Sequence, residues 1–169
     1  EMIRAADEAK GTLNVIFQNR YIPSTAALRR IIDSGEPGRL LCARASVCWH
    51  RTAPYYTESG WRGAWATEGG GCLINQPIHT LDLLRYLGGP IRRVRGHVST
   101  DLLNGVIEVE DNCHAVFEYE NGATGVIHAT TNYGVDSPIL LEMVFENGTY
   151  QLLADKLFKI EDGIPTLLT

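Results

Sequence analysis

Residues 111–133 read DNCHAVFEYENGATGVIHATTNY. Apolar and polar side chains alternate on both sides of Asn121-Gly122, a dipeptide that accepts the positive φ angles of a two-residue hairpin turn. The segment is therefore two antiparallel strands joined tightly. Downstream, ILLEMVFENGTYQLLAD (139–155) repeats the pattern around Asn147-Gly148, and KLFKIED (156–162) reads as one more short strand. Upstream, IRRVRGHVST (91–100) is a strand in looser register. RLLCARASVCWH (39–50) is a long one, with Leu41, Ala43, Ala45, Val47 and Trp49 alternating against Arg44, Ser46 and Cys48. Five or six mostly antiparallel strands with helices between them give an α+β class: an open sheet carrying its helices on one face. The other face would hold Val116, Val126 and Ala129 or their neighbours, depending on register. Leu141, Met143 and positions beside Phe145 add to the apolar surface that a lone domain would have to cover. If both faces are apolar, a second subunit must cover one of them, which predicts a homodimer or tetramer.

The chain begins differently. Residues 2–10 read as helical turns ended by Gly11, LNVIFQ (13–18) as a short buried strand, and PSTAALRRIIDSG (23–35) as a helix with proline near its start and glycine just past its end. Helix, buried strand and helix predict the last βα unit of a doubly wound sheet. Residues 1–22 are thus expected to be the remnant of a nucleotide-binding domain, and 23–169 a substrate-binding and oligomerisation domain.

Composition narrows the function. Apolar residues make up 44% and charged residues 21% of 169 residues, and the net charge is −5. An acidic balance offers no basic footprint for nucleic acid, and no apolar run approaches the roughly 18 residues of a membrane span. The opening EMIRAADEAK is charged, without an apolar core of the signal-peptide kind. Cys42, Cys48, Cys72 and Cys113 form no CxxC pair and read as reduced thiols. A cytoplasmic location is expected. His50, His97, His114 and His128 lie scattered over different strands, without metal-ligand spacing, so no metal site is expected.

The chemistry concentrates in GGGCLINQPIHTLDLLRYLGG (69–89). At about 100° per residue, Asn75, His79, Asp82 and Tyr86 fall within a sector of about 60°. Leu73, Ile74, Ile78, Leu81 and Leu84 fall opposite. A solvated helix face usually carries Lys and Glu, and this one has neither. Histidine titrates near neutral pH, with a carboxylate one turn on that can orient it. Three glycines at the entrance let a ligand or a second backbone approach. Pro77 should kink the helix.

FQNRYIP, WRGAW, GGGCLINQPIHTLDLL and VEDNCHAVFEYENGATGVIHATTNY together resemble the family of glucose–fructose oxidoreductase, inositol dehydrogenase and MocA, in that family's order and over nearly the whole chain. The resemblance implies the substrate-side domain of an NAD(P)-dependent oxidoreductase acting on sugars, cyclitols or related polyols. The family's Gly-rich dinucleotide turn and Glu-Lys-Pro motif have no counterpart here, which implies a piece trimmed at both ends and inactive alone. NAD or NADP would be bound mainly by the other domain.

The resemblance also assigns roles. His79 matches the active-site histidine, taking the hydroxyl proton as a hydride leaves. Asn75 stands where many members have Asp; an amide cannot take up that proton, so it is left to hydrogen-bond a substrate hydroxyl. Asn19 and Arg20 would lie beside the nicotinamide and the substrate, although Arg20 serves equally well as an ion-pairing residue at a domain junction. Asp82 would contact substrate, hold His79 or brace the helix. Trp61 and Arg62 would border the cofactor, Arg62 as a planar fork for phosphate or carboxylate, while Trp65 is expected in aromatic packing. Tyr56, with Tyr55, would line the pocket mouth. Glu110 and Asp111 read as structural. The competing reading is a non-catalytic sugar-binding or assembly domain on the same scaffold.

Overall fold

A computed structural model describes residues 1–169. The sheet has eight strands: β1 Leu40–Cys48, β2 Ile91–Ser99, β3 Asn112–Tyr119, β4 Thr124–Thr130, β5 Leu140–Phe145, β6 Gly148–Leu153, β7 Lys156–Glu161 and β8 Ile164–Leu167, in the spatial order β2-β3-β4-β1-β5-β6-β7-β8. Asn121-Gly122 turns β3 into β4, and Asn147-Gly148 turns β5 into β6, so both hairpins stand where the dipeptides placed them. The open, mostly antiparallel sheet is as expected, with β1–β7 on the stretches read as strands and one strand, β8, beyond them. β8 was missed because IPTL neither alternates nor carries a turn signal. The one parallel pair, β1 with β4, sits in the middle of the sheet.

The helices are α1 Met2–Glu8, α2 Pro23–Asp33, α3 Ala53–Thr57, α4 Cys72–Asn75 and α5 Pro77–Gly88, with a 3₁₀ turn at Gln18–Tyr21. α2 and α5 cover one sheet face. Leu28 of α2 and Leu83, Leu84 and Leu87 of α5 pack on Ala43, Ala45, Ile127, Leu141, Met143, Tyr150 and Leu157 in the main core. Within β1 the alternation holds from Ala43 onward. A bulge between Leu40 and Cys42 then moves burial from Leu41 to Leu40.

Three expectations need correction. LNVIFQ is not a buried strand: Leu13, Val15 and Ile16 are exposed and the segment pairs with no strand. An apolar run makes a strand only where a neighbour takes its backbone groups, and this chain supplies none there. Second, the glycine-led helix is not merely kinked; it breaks at Gln76 into α4 and α5, because Pro77 lacks the donor that would continue the ladder. The break re-phases the faces, so the buried side is Cys72, Pro77, Thr80, Leu83, Leu84 and Leu87, whereas Ile74 is exposed. Third, Leu141, Met143, Phe145 and Ala129 all point to the helix side and are buried.

The open face is consequently more polar than expected. Register places Arg95, Val116, Val126, Arg44, Glu142, Gln151 and Phe158 in one row across the strands. Arg44 donates to Glu142 at 2.7 Å, and Val116 and Val126 are exposed between the charged residues. Three of the four strand histidines are aligned rather than scattered, and His50 alone stands apart. His97, His114 and His128 stand directly opposite one another on β2, β3 and β4. The rings of His114 and His128 stack with centroids 4.6 Å apart. Burial, and then its neighbour His114, hold His128 below the usual histidine range.

Candidate active site

The entrance to α4 is built by two backbones in contact. A Cβ on Gly71 would lie 1.9 Å from the Glu110 carbonyl oxygen, so only glycine fits there. The Glu110 carboxylate accepts the amide protons of Gly71 and Leu73, and its carbonyl accepts that of Cys72. One residue thus satisfies the free donors of the helix start. Next to it, Asp111 is fully buried and accepts from the backbone of Asp101 and Leu103 and from Asn132 Nδ2. The VED stretch is structural, as read. The close approach that the glycines permit is a second backbone rather than a ligand.

The polar side chains of α5 meet the N-terminal segment, and Asn75 of α4 meets the loop before that helix. His79, in the first turn of α5, has its Nε2 3.2 Å from the side-chain amide nitrogen of Gln18, and Phe17 stands edge-on to the ring. His79 Nδ1 is buried without a partner. Asp82 takes a two-pronged hydrogen bond from Arg20, Nε to Oδ2 at 2.7 Å and Nη2 to Oδ1 at 2.5 Å. Arg20 also lies over the Tyr86 ring, 4.8 Å from its centroid. The hydrogen bonds that Arg20 donates to Asp82 hold its guanidinium above its ordinary range. Of the two roles weighed for Arg20, the structure shows the ion pair, and Asp82 grips that arginine rather than His79. The result is a clamp that fixes the 3₁₀ turn, and Gln18 with it, against α5. Asn19 lies on the other side of that turn. It lines a small cavity with Ser24, Thr25 and Thr80.

The remaining candidates surround α4. Asn75 donates through Nδ2 to Glu68 Oε1 at 2.9 Å. Tyr56 is buried with Leu103, Ile107 and Val109, and its hydroxyl lies 3.3 Å from Thr131 Oγ1, so it belongs to the wall more than to the mouth. Arg62 lies over both Tyr55 (4.4 Å) and Trp61 (4.5 Å); its Nε is buried without a partner, and it makes no ion pair within the chain. Trp65 is exposed rather than packed, and so is Trp61. A hollow of about 10 Å³ behind α4 is lined by Arg51, Tyr55, Tyr56, Glu68, Asn75 and Gln76 among others. Two broader grooves, of about 560 and 600 Å³, lie on the open sheet face, and one of about 650 Å³ lies beside α2; His79 lines none of them.

Residues 25–151 match the model of the GFO/IDH/MocA C-terminal domain. The chain belongs to that family. Among curated proteins it is similar to levoglucosan dehydrogenase of Pseudarthrobacter phenanthrenivorans, at 27% identity over 76% of this chain and 39% of the relative. It is similar too to the NAD(+) scyllo-inositol 2-dehydrogenase of Bacillus subtilis, at 29% identity over 80% of this chain and 40% of that one. Among solved structures, the WlbA dehydrogenase from Bordetella pertussis in complex with NADH and UDP-GlcNAcA superposes with a TM-score of 0.83 at 33% identity, covering 90% of this chain and 46% of that one. Levoglucosan dehydrogenase with NADH and levoglucosan gives 0.78 at 25% identity, covering 90% and 45%. The Gfo/Idh/MocA chain described here therefore spans less than half the length of these relatives.

Against this family background, sequence reading missed two contacts of this Gfo/Idh/MocA domain. Gln18 was passed over for its neighbour Asn19, and no local signal favours either. Glu68 did leave a signal: it is the lone acid directly before three glycines, seven positions ahead of Asn75.

Proposed function

We propose that this chain is the substrate-side part of an oxidoreductase that moves a hydride between NAD or NADP and a carbinol carbon of a sugar, cyclitol or related polyol. The observation that carries the reading is His79: its Nε2 meets a single side-chain amide that a substrate hydroxyl can replace, and its ring is braced by Phe17 at the junction with residues 1–22. Imidazole at that place takes the hydroxyl proton in oxidation and returns it in reduction. The nicotinamide, when bound, supplies the hydride acceptor. Arg62, with its buried and unpartnered Nε, fits an anionic group, either the cofactor's pyrophosphate or a substrate carboxylate. The names of the relatives support both the cofactor and the substrate class. Residues 1–22 then belong with a nucleotide-binding domain, in keeping with the exposed Leu13, Val15 and Ile16, and the chain alone is inactive. The test is the protein carrying that domain, offered scyllo-inositol, levoglucosan and a uronic sugar with NAD⁺ or NADP⁺. Reduction of one cofactor by at least one of them is expected; no reduction with any overturns the reading.

The open sheet face is proposed as the surface where two copies pair. Val116 and Val126 stand exposed there, and the Arg44–Glu142 pair is placed to be buried between copies. No helix of the chain is long and apolar enough to cross a membrane. Light scattering at micromolar concentration should return twice the 18.7 kDa chain mass or a higher even multiple. A monomer mass from folded protein contradicts the pairing.

A further inference from the structure

We propose that Glu68 is a positioning residue of this site. By holding the amide nitrogen of Asn75, it leaves the amide oxygen as the group offered to a substrate hydroxyl. The proposal rests on the polyol-oxidoreductase reading above. Elsewhere in the chain Asp33, Asp82, Asp136, Glu118, Glu142 and Glu146 each pair with an arginine. Glu68 pairs with none, although Arg51 lines the same hollow and Arg62 makes no ion pair. Its two oxygens go instead to two N–H donors, Gly63 N at 2.6 Å and Asn75 Nδ2 at 2.9 Å. One carboxylate therefore ties the residue after Arg62 to the last residue of α4, four positions before His79.

The polarity of the Asn75 contact follows from chemistry. A side-chain amide can turn either end toward a neighbour, but an ionised carboxylate only accepts. Asn75 must give Glu68 its nitrogen. Its oxygen accepts no hydrogen bond within the chain, so the group left for a ligand is an acceptor, suited to a hydroxyl that donates. Glu68 thus selects which end of Asn75 the substrate meets without touching the substrate itself.

Glu68→Gln tests this with little change in shape. The new amide keeps its oxygen on Gly63 N–H and turns its NH₂ toward Asn75. Two donors cannot bond, so Asn75 rotates, gives up its oxygen and presents NH₂ to the ligand. Adding Asn75→Asp restores both relations: the amide at position 68 donates to the new carboxylate, whose second oxygen remains free to accept. In the enzyme with its nucleotide-binding domain, on whichever of scyllo-inositol or levoglucosan the parent oxidises, Glu68→Gln should raise KM roughly tenfold with kcat nearly unchanged, the usual scale of one misplaced polar contact. The Glu68→Gln/Asn75→Asp protein should recover most of that loss. A purely structural Glu68 predicts no recovery in the double variant, and that result, or an unchanged KM in the single variant, overturns the proposal. A His79→Ala enzyme as active as its parent overturns the underlying reading instead. In that event nitrogen-15 NMR of the present chain still decides the positioning: the Asn75 side-chain NH₂ pair should move on Glu68→Gln, and a pair that does not move means Glu68 does not hold it.

Discussion

His79→Ala, made in the enzyme with its nucleotide-binding domain, is expected to lower kcat/KM for its polyol by about 10²–10⁴, the share that one positioned acid–base group contributes. The surroundings of the ring concentrate the loss in catalysis rather than in folding. Its Nε2 meets one exposed amide, Gln18, and its Nδ1 meets nothing. Alanine therefore removes one solvent-side hydrogen bond, and the clamp between Arg20 and Asp82 stays in place to fix the segment. Steady-state kinetics read beside a thermal melt separate the two effects. The expected pattern is a kcat/KM that collapses while Tm moves by only a few degrees. A variant with parental turnover on the true substrate removes His79 from the mechanism.

Asp111→Ala should be the most damaging single change to stability, about 3–5 kcal/mol. The carboxylate is fully buried and gathers the Asp101 and Leu103 amide protons and Asn132 Nδ2. Alanine leaves three donors without partners in the interior, each costing about 1–3 kcal/mol, partly relieved where water enters. For a chain of this size a loss of that order lowers Tm by roughly 8–16 °C. Asp111→Asn keeps the shape and one acceptor but sets an NH₂ against a donor, so an intermediate loss is expected. A Tm within about 3 °C of the parent for Asp111→Ala would show that the loop at 100–103 is held by something else.

Local rules made much of this fold legible. Asn-Gly turns have one good use between alternating strands, so both hairpins stood out. His79, Asp82 and Tyr86 do share one side of α5, against Gln18 and Arg20, but the break at Gln76 leaves Asn75 on α4, facing Glu68. Contacts distant in sequence were not visible. Nothing near Arg20 announces that its partner is Asp82, 62 residues on. The parallel seating of β1 beside β4 depends on what fills the space between them, and no periodicity records that. The exposed LNVIFQ shows the opposite failure, a local apolar run that forms no strand because no strand of this chain pairs with it. Glu68 lay between the two, marked by its place before the glycines but given meaning only by its contact with Asn75.

The central parallel pair also bears on how the chain acquires its structure. β1 is flanked on both sides by strands made much later: Arg44 sits opposite Val126 on one side and bonds Glu142, 98 residues away, on the other. Everything between β1 and β4, including α3, α4 and α5, forms a single loop that this pairing must close. Contacts so distant are entropically slow to form, which sets a folding rate nearer that of β-rich domains than of helical bundles. The two hairpins can zip early on local contacts. The centre of the sheet waits for the crossover, and the surface that carries His79 forms with it. During synthesis, β1 therefore remains without either neighbour until the chain has been extended past β4, a long interval for a strand with two unpaired edges.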